Sequence, residues 1–183
     1  MVAFNMSAQT PIPADFFVAQ KFVYASCGFD CSLPQVEAKS AEYGACRFVL
    51  NGLSICFRVA KITPTKIGQF VTLWKRTGKS PIQPFDLSDS IDFFVVSVRK
   101  ENVFGQFVFP KFVLFEKGIV SKNGQGGKRA IRVYPPWDKT TSSQAQKTQK
   151  WQLEYFLEIP NDRPVDNARL HMLYNFDELQ SLT

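Results

Sequence analysis

Apolar side chains recur at helical spacing over residues 13–27, where Phe16, Phe17, Ala19, Phe22, Val23 and Ala25 share neighbouring turns and Gly28 is placed to end the run. A proline-containing loop follows, and residues 36–43 read as a short helix or an extended approach. Two apolar runs, 45–50 and 53–62, are joined by Asn51-Gly52, the signature of a β-hairpin with a type I′ turn. Thr63-Pro64 closes the second run. From Lys66 the spacing predicts a helix over 66–76, with Ile67, Phe70, Val71 and Trp74 on one side and Lys66, Gln69, Lys75 and Arg76 on others. Residues 78–92 read as loop, 93–98 as a buried strand, and 104–109 as a second strand broken by Pro110. Residues 111–120 predict a short helix ended at Gly118, and 121–127 a polar loop. Alternation then predicts a strand over 129–134, with Arg129, Ile131 and Val133 on one face and Ala130, Arg132 and Tyr134 on the other. Pro135-Pro136 terminates it. A long helix over 142–159 and a terminal helix over 163–176, held by Leu170, Met172, Leu173 and Phe176, complete the chain. This order gives an α/β (α+β) class, a mixed central sheet flanked by helices.

At 183 residues the chain fits one compact domain, and 45% hydrophobic with 14% aromatic residues is globular composition. The net charge of +6 is unevenly spread. Residues 58–150 hold 17 Lys and Arg against 6 Asp and Glu, while the rest holds 5 against 10. A basic middle between acidic ends predicts one positive face, suited to an anionic partner. Cys27, Cys31, Cys46 and Cys56 lack the paired short spacing of a zinc site, and the lone His171 is far away in sequence. Cys46 and Cys56 sit in apolar runs and read as core residues of a reducing compartment. With no leader pattern and no membrane-length apolar run, the expectation is a cytoplasmic protein with no membrane partner.

Cations inside apolar text carry the candidate chemistry, because an unpaired buried Lys or Arg is costly. Along the second hairpin strand, alternation puts Cys56, Arg58 and Ala60 on one face and Phe57, Val59 and Lys61 on the other. Lys61 lies near a strand end ahead of the predicted helix, a favoured place for phosphate. Lys66, Gln69, Lys75 and Arg76 extend the first phosphate-binding candidate cluster along that helix. The second combines Lys128, Arg129 and Arg132 with Tyr134 and Trp137, pairing guanidinium forks with stacking platforms for bases. No Rossmann glycine fingerprint follows the first strand, and GQGGKR at 124–129 lacks the spacing and the Ser or Thr of a Walker loop. His171 reads as structural.

The strings KITPTKIGQF at 61–70, FGQFVFPK at 104–111, RVYPPWD at 132–138 and QKWQ with YF at 149–156 resemble, in order, the MepB-like proteins over roughly residues 43–156. That resemblance implies a small bacterial cytoplasmic protein with a fold similar to the restriction-endonuclease-like, PD-(D/E)xK superfamily, and nucleic acid as partner. Within such a fold Lys61 occupies the lysine position, but two residues earlier stands Val59, not an acid. Glu42 or Glu37, with Gln69, would have to complete a Mg or Mn site, a poor donor set for a hard cation. The expectation is therefore a nucleic-acid-binding protein with a degenerate nuclease-like groove, no metal and no cofactor. An active metal-dependent nuclease using Lys61, Gln69 and Glu42 is the first alternative, and a binding module for a small phosphorylated ligand the second.

Overall fold

A computed structural model describes residues 11–174. The chain opens with helix α1 (Ala14–Ala19), which widens over Gln20–Tyr24 and tightens over Ala25–Cys27 before ending at Gly28. Strand β1 (Gln35–Val36) leads into a 3-10 helix, Ala38–Tyr43. The predicted hairpin follows as β2 (Cys46–Leu50) and β3 (Leu53–Val59). Its turn residues Asn51 and Gly52 both have positive φ, 46° and 83°, as a type I′ turn requires.

The predicted second hairpin strand is too long, because at Ala60 the chain leaves the first sheet. There the Ala60 amide donates to the Ser97 carbonyl, and β4 (Lys61–Thr63) begins a separate sheet. The predicted helix over 66–76 is instead strand β5 (Lys66–Thr72) followed by β6 (Trp74–Lys75), which pairs with β7 (Gln83–Pro84). Apolar side chains cover both faces of this segment, so its spacing imitates a helix. Ile67, Phe70, Val71 and Thr72 are strand-favouring residues. Gly68 adopts φ +84°, and a Cβ there would meet the Tyr134 ring at 2.5 Å.

Strands β8 (Phe93–Lys100) and β9 (Val103–Pro110) form the longest ladder, and helix α2 (Lys111–Glu116) follows. Strand β10 (Ala130–Val133) pairs antiparallel with β5, giving a three-stranded sheet in the order β10-β5-β4. The predicted long helix over 142–159 stops early: α3 (Ser143–Leu153) is capped by the Ser142 hydroxyl, and β11 (Phe156–Glu158) then pairs with β9. Gly105 is what admits β11, since a Cβ there would lie 2.3 Å from the Phe156 ring. Helix α4 (Asn167–Tyr174) closes the described chain. Of its expected anchors, Leu170 and Leu173 are buried, Met172 is exposed, and Phe176 lies outside the described residues.

The central sheet has the order β1-β2-β3-β8-β9-β11, with β3 and β8 parallel and every other pair antiparallel. One face carries Phe48, Phe57, Val95 and Val108 against Phe16, Tyr24, Leu170 and Tyr174 of the terminal helical segments. His171 packs its ring 5.1 Å from that of Phe29. The other face carries Cys56, Phe94, Val96 and Phe107 against Val71, Leu73 and Val133 of the small sheet and Leu114 of α2. A parallel pair needs a long crossover, commonly helical; here β4 to β7 make the crossover. Hence the small sheet is a layer over the central one, and its outer face is left to display side chains. All four cysteines are free, with Cys46 and Cys56 in the core.

Candidate nucleic-acid interface

Residues directly opposite in an antiparallel ladder share a face. The registers Lys61↔Phe70 and Phe70↔Arg132 therefore place one lysine, one phenylalanine and one arginine side by side across β4, β5 and β10. The partners Ile62, Gln69 and Val133 form the opposite row, in which Gln69 and Val133 are buried and Ile62 is exposed. On the outer row Lys61 is exposed, with its ammonium 4.3 Å from the Tyr43 ring centroid and 4.0 Å from Glu42. Tyr43 also meets Phe70, at a centroid distance of 6.5 Å. Arg132 donates to the Gly68 carbonyl at 2.9 Å and to Thr63 Oγ1 at 2.8 Å, so its guanidinium links the three strands. Tyr134 lies against Gly68 beside it.

Beyond Phe70 the chain runs through Thr72, which is buried with its hydroxyl unpartnered, to the half-buried Trp74 on β6, about 13 Å on at the usual strand rise. Arg76 stands over the Trp74 ring, 6.0 Å from its centroid. At this end a cleft of about 460 Å³ is lined by Lys39, Ser40, Arg47, Trp74, Lys75 and Arg76. Arg47 is anchored there by Glu37 at 2.6 Å. Burial works against its charge, but the Glu37 hydrogen bond and surrounding anionic groups hold its pKa above the ordinary value.

Several sequence candidates take other roles. Arg58 is only 1% exposed and donates to Glu37 Oε2 at 2.6 Å and to the Phe57 carbonyl at 2.9 Å, so it is a structural cation and not a phosphate ligand. Lys75 is half-buried and paired with Asp89. Gln69 is buried on the row opposite Lys61 and donates to the Arg99 carbonyl at 3.2 Å. Lys61, Gln69 and Glu42 consequently do not converge as the nuclease alternative needs.

The remaining candidates divide between two further clefts. Lys128, Arg132 and Tyr134 line one of about 310 Å³ with Lys117 and the first turn of α3, while Arg129 is exposed nearby in sequence. Lys66, Gln69 and Trp137 line another of about 480 Å³ with Lys100, Asp138 and Lys139. Gln69 Oε1 and Trp137 Nε1, on two residues that line this cleft, are buried without a partner, an arrangement costing about 1–3 kcal/mol for each group; Trp137 also borders a neighbouring cleft of about 750 Å³. Burial raises the Asp138 carboxyl pKa above its ordinary value, against the opposing pull of Lys100, 3.8 Å away, and the Gly68 amide.

Sequence reading missed Tyr43, Phe70 and Trp74 as surface aromatics, and Lys39, Arg47, Lys100 and Asp138 as site residues. For Phe70 and Trp74 the available signal was the run of strand-favouring residues in FVTLW over 70–74; Tyr43 carried none. For Mg or Mn the donor set does not fit. Both Glu37 oxygens are engaged by arginines, and Glu42 is exposed beside Lys61. Among the described residues no three His, Cys, Asp or Glu side chains gather as a metal site. Nor is any helix among them long and apolar enough to cross a membrane.

Residues 37–158 match the MepB-like family model. A crystal structure of MepB superposes on the chain with a TM-score of 0.69 at 33% identity, covering 81% of this chain and 97% of that one. No curated protein matches the chain. The family span begins at Glu37, the partner of Arg47 and Arg58, and ends at Glu158 in the last strand of the central sheet, so it encloses the three-stranded sheet and its aromatic row. On that match and the solved neighbour together, the chain belongs to the MepB-like family.

Proposed function

We propose that this protein binds nucleic acid with unpaired bases along the outer face of its three-stranded sheet. The carrying observation is the register that sets Lys61, Phe70 and Arg132 abreast, with Tyr43 against Phe70 and Lys61. Rings on such a face offer stacking platforms, and Lys61, Arg76 and Lys39 supply cations for the backbone. Arg132 acts mainly by holding the strands in register, given its two internal hydrogen bonds. The mixed central sheet is compatible with a restriction-endonuclease-like ancestry. Val59, packed on Gly44 where that superfamily places an acid, and the separation of Gln69 from Lys61 favour binding over cleavage.

Fluorescence anisotropy with labelled single-stranded DNA and RNA, each beside its duplex, tests this reading at two salt concentrations. The expected result is preference for the single strand, weakened steeply by salt through counterion release. Absence of binding, or binding indifferent to salt, sinks it. Incubation of plasmid and RNA with Mg or Mn should leave both intact; cleavage abolished by Lys61→Ala would establish the nuclease alternative instead.

A further inference from the structure

The cleft formed by Lys66, Gln69, Lys100, Trp137, Asp138 and Lys139 lies on the side of β5 opposite the aromatic row, at the turn joining β4 to β5. Its volume of about 480 Å³ is in the range of small-molecule sites. Its polar inventory is specific. Gln69 must present its amide nitrogen to the Arg99 carbonyl, which fixes Oε1 as an acceptor, and that acceptor has no donor. Trp137 Nε1 can only donate, and it has no acceptor. The Asp138 carboxylate, its side chain 9% exposed, is a second acceptor group; it already takes a hydrogen bond from the Gly68 amide and has Lys100 at 3.8 Å, which leaves it part of its acceptor capacity. Lysines 66, 100 and 139 supply positive charge around these groups.

Two acceptor groups and one donor group on residues lining one cleft match a ligand edge with two donors and one acceptor. Among the common bases only guanine has that edge: a ring N–H, an exocyclic amine and a carbonyl. Adenine and cytosine each offer one donor group, and uracil sets one ring N–H between two carbonyls. We infer that this cleft is a guanine-nucleotide site, with Asp138 and Gln69 accepting from the base, Trp137 donating to its carbonyl and the lysines holding phosphate. Bases are read in this way at their Watson–Crick edges when unpaired. The guanine comes either from a nucleic-acid strand or from a free nucleotide. The site stands on the other side of β5 from the proposed strand-binding face, so either reading can fail while the other holds.

The test uses the full chain labelled with ¹⁵N, titrated with GMP, AMP and xanthosine monophosphate, and with oligothymidylate carrying or lacking one guanosine. Trp137→Phe assigns the Trp137 indole resonance. GMP should shift that resonance and bind at least about tenfold tighter than AMP, the discrimination of one good paired contact. Asp138→Asn replaces two acceptors by one acceptor and one donor. That variant should lose guanine preference and gain xanthine, whose 2-carbonyl meets the new amide. A guanosine that tightens the oligonucleotide identifies the strand as the source; tightening by GMP alone identifies the free nucleotide. Equal binding of GMP and AMP, or an unmoved Trp137 resonance at saturation, overturns the inference. Should Asp138→Asn fail to fold, the wild-type comparison of GMP with AMP decides.

Discussion

Arg58 holds its guanidinium in a space where 1% of its surface meets water, and Glu37 makes that tolerable by bridging it to Arg47, both at 2.6 Å. Removing one partner of such a pair leaves an uncompensated buried charge. Glu37→Ala should therefore destabilise the fold by about 3–5 kcal/mol, visible as a lower urea midpoint at unchanged slope. Adding Arg58→Met should recover most of that loss, because the phenyl ring of Phe85 and the side chains around it suit an apolar replacement. A loss below about 1 kcal/mol for Glu37→Ala would place the charge in water after all. The buried thiols make a second residue-scale prediction. Burial pushes Cys46 up to about 12 and Cys56 up to about 11, and raises Tyr24 and Tyr174 above the ordinary phenol value. Between the ordinary thiol value, about 8.5, and those raised values, the unfolded chain releases protons that the native chain keeps. Stability from these groups is thus full below pH about 8.5 and declines as pH rises toward 11 and 12. Thermal midpoints should fall steadily across that window; a midpoint that holds or rises there contradicts the burial of these groups.

At the scale of elements, what the sequence revealed depended on whether the cause was local. Asn51-Gly52 specifies its hairpin within a few residues, the strand over 93–98 follows from a largely apolar run, and that over 104–109 from its alternate polar and apolar positions. The segment 66–76 misleads because both faces are covered, one by the core and one by Tyr134 and Tyr43, which erases the polar alternation of an ordinary strand. Likewise Phe156 leaves helical text for a strand because Gly105, distant in sequence, has no side chain to exclude its ring. The site divides in the same way. Lys61, Arg132 and Tyr134 were legible as cations and a ring on predicted strands, whereas Phe70 and Trp74 become half-buried strand residues only through the pairing of β5 with β4 and β10 and of β6 with β7. Edge strand β10 depends on one side chain of α3: Gln152 donates to the Arg132 carbonyl at 3.0 Å and accepts from the Tyr134 amide at 2.9 Å. Gln152→Leu should cost about 1–3 kcal/mol for each backbone group left unpaired. Hydrogen exchange at the Tyr134 amide would quicken; unchanged protection there would show that β10 is held by β5 alone.

Over the whole molecule, the basic stretch 58–150 takes in the crossover layer, β8, β9 and α3, while Glu37 and Glu42 from outside it pair with Arg47, Arg58 and Lys61. The excess of Lys and Arg over residues 58–150 favours an anionic strand, and the three-stranded layer offers it rings to rest on. A single strand is expected to lie on that layer. Anisotropy titration of a labelled single strand over a salt series, with wild type and Phe70→Ala in parallel, tests it most directly. For three or four neutralised phosphates the logarithm of affinity should fall against the logarithm of salt with a slope of about −2 to −3. Phe70→Ala should weaken binding roughly tenfold or more at every salt concentration, leaving the slope unchanged, because it removes stacking and no charge. An affinity insensitive to salt, or a Phe70→Ala variant that binds as wild type does, would contradict the account.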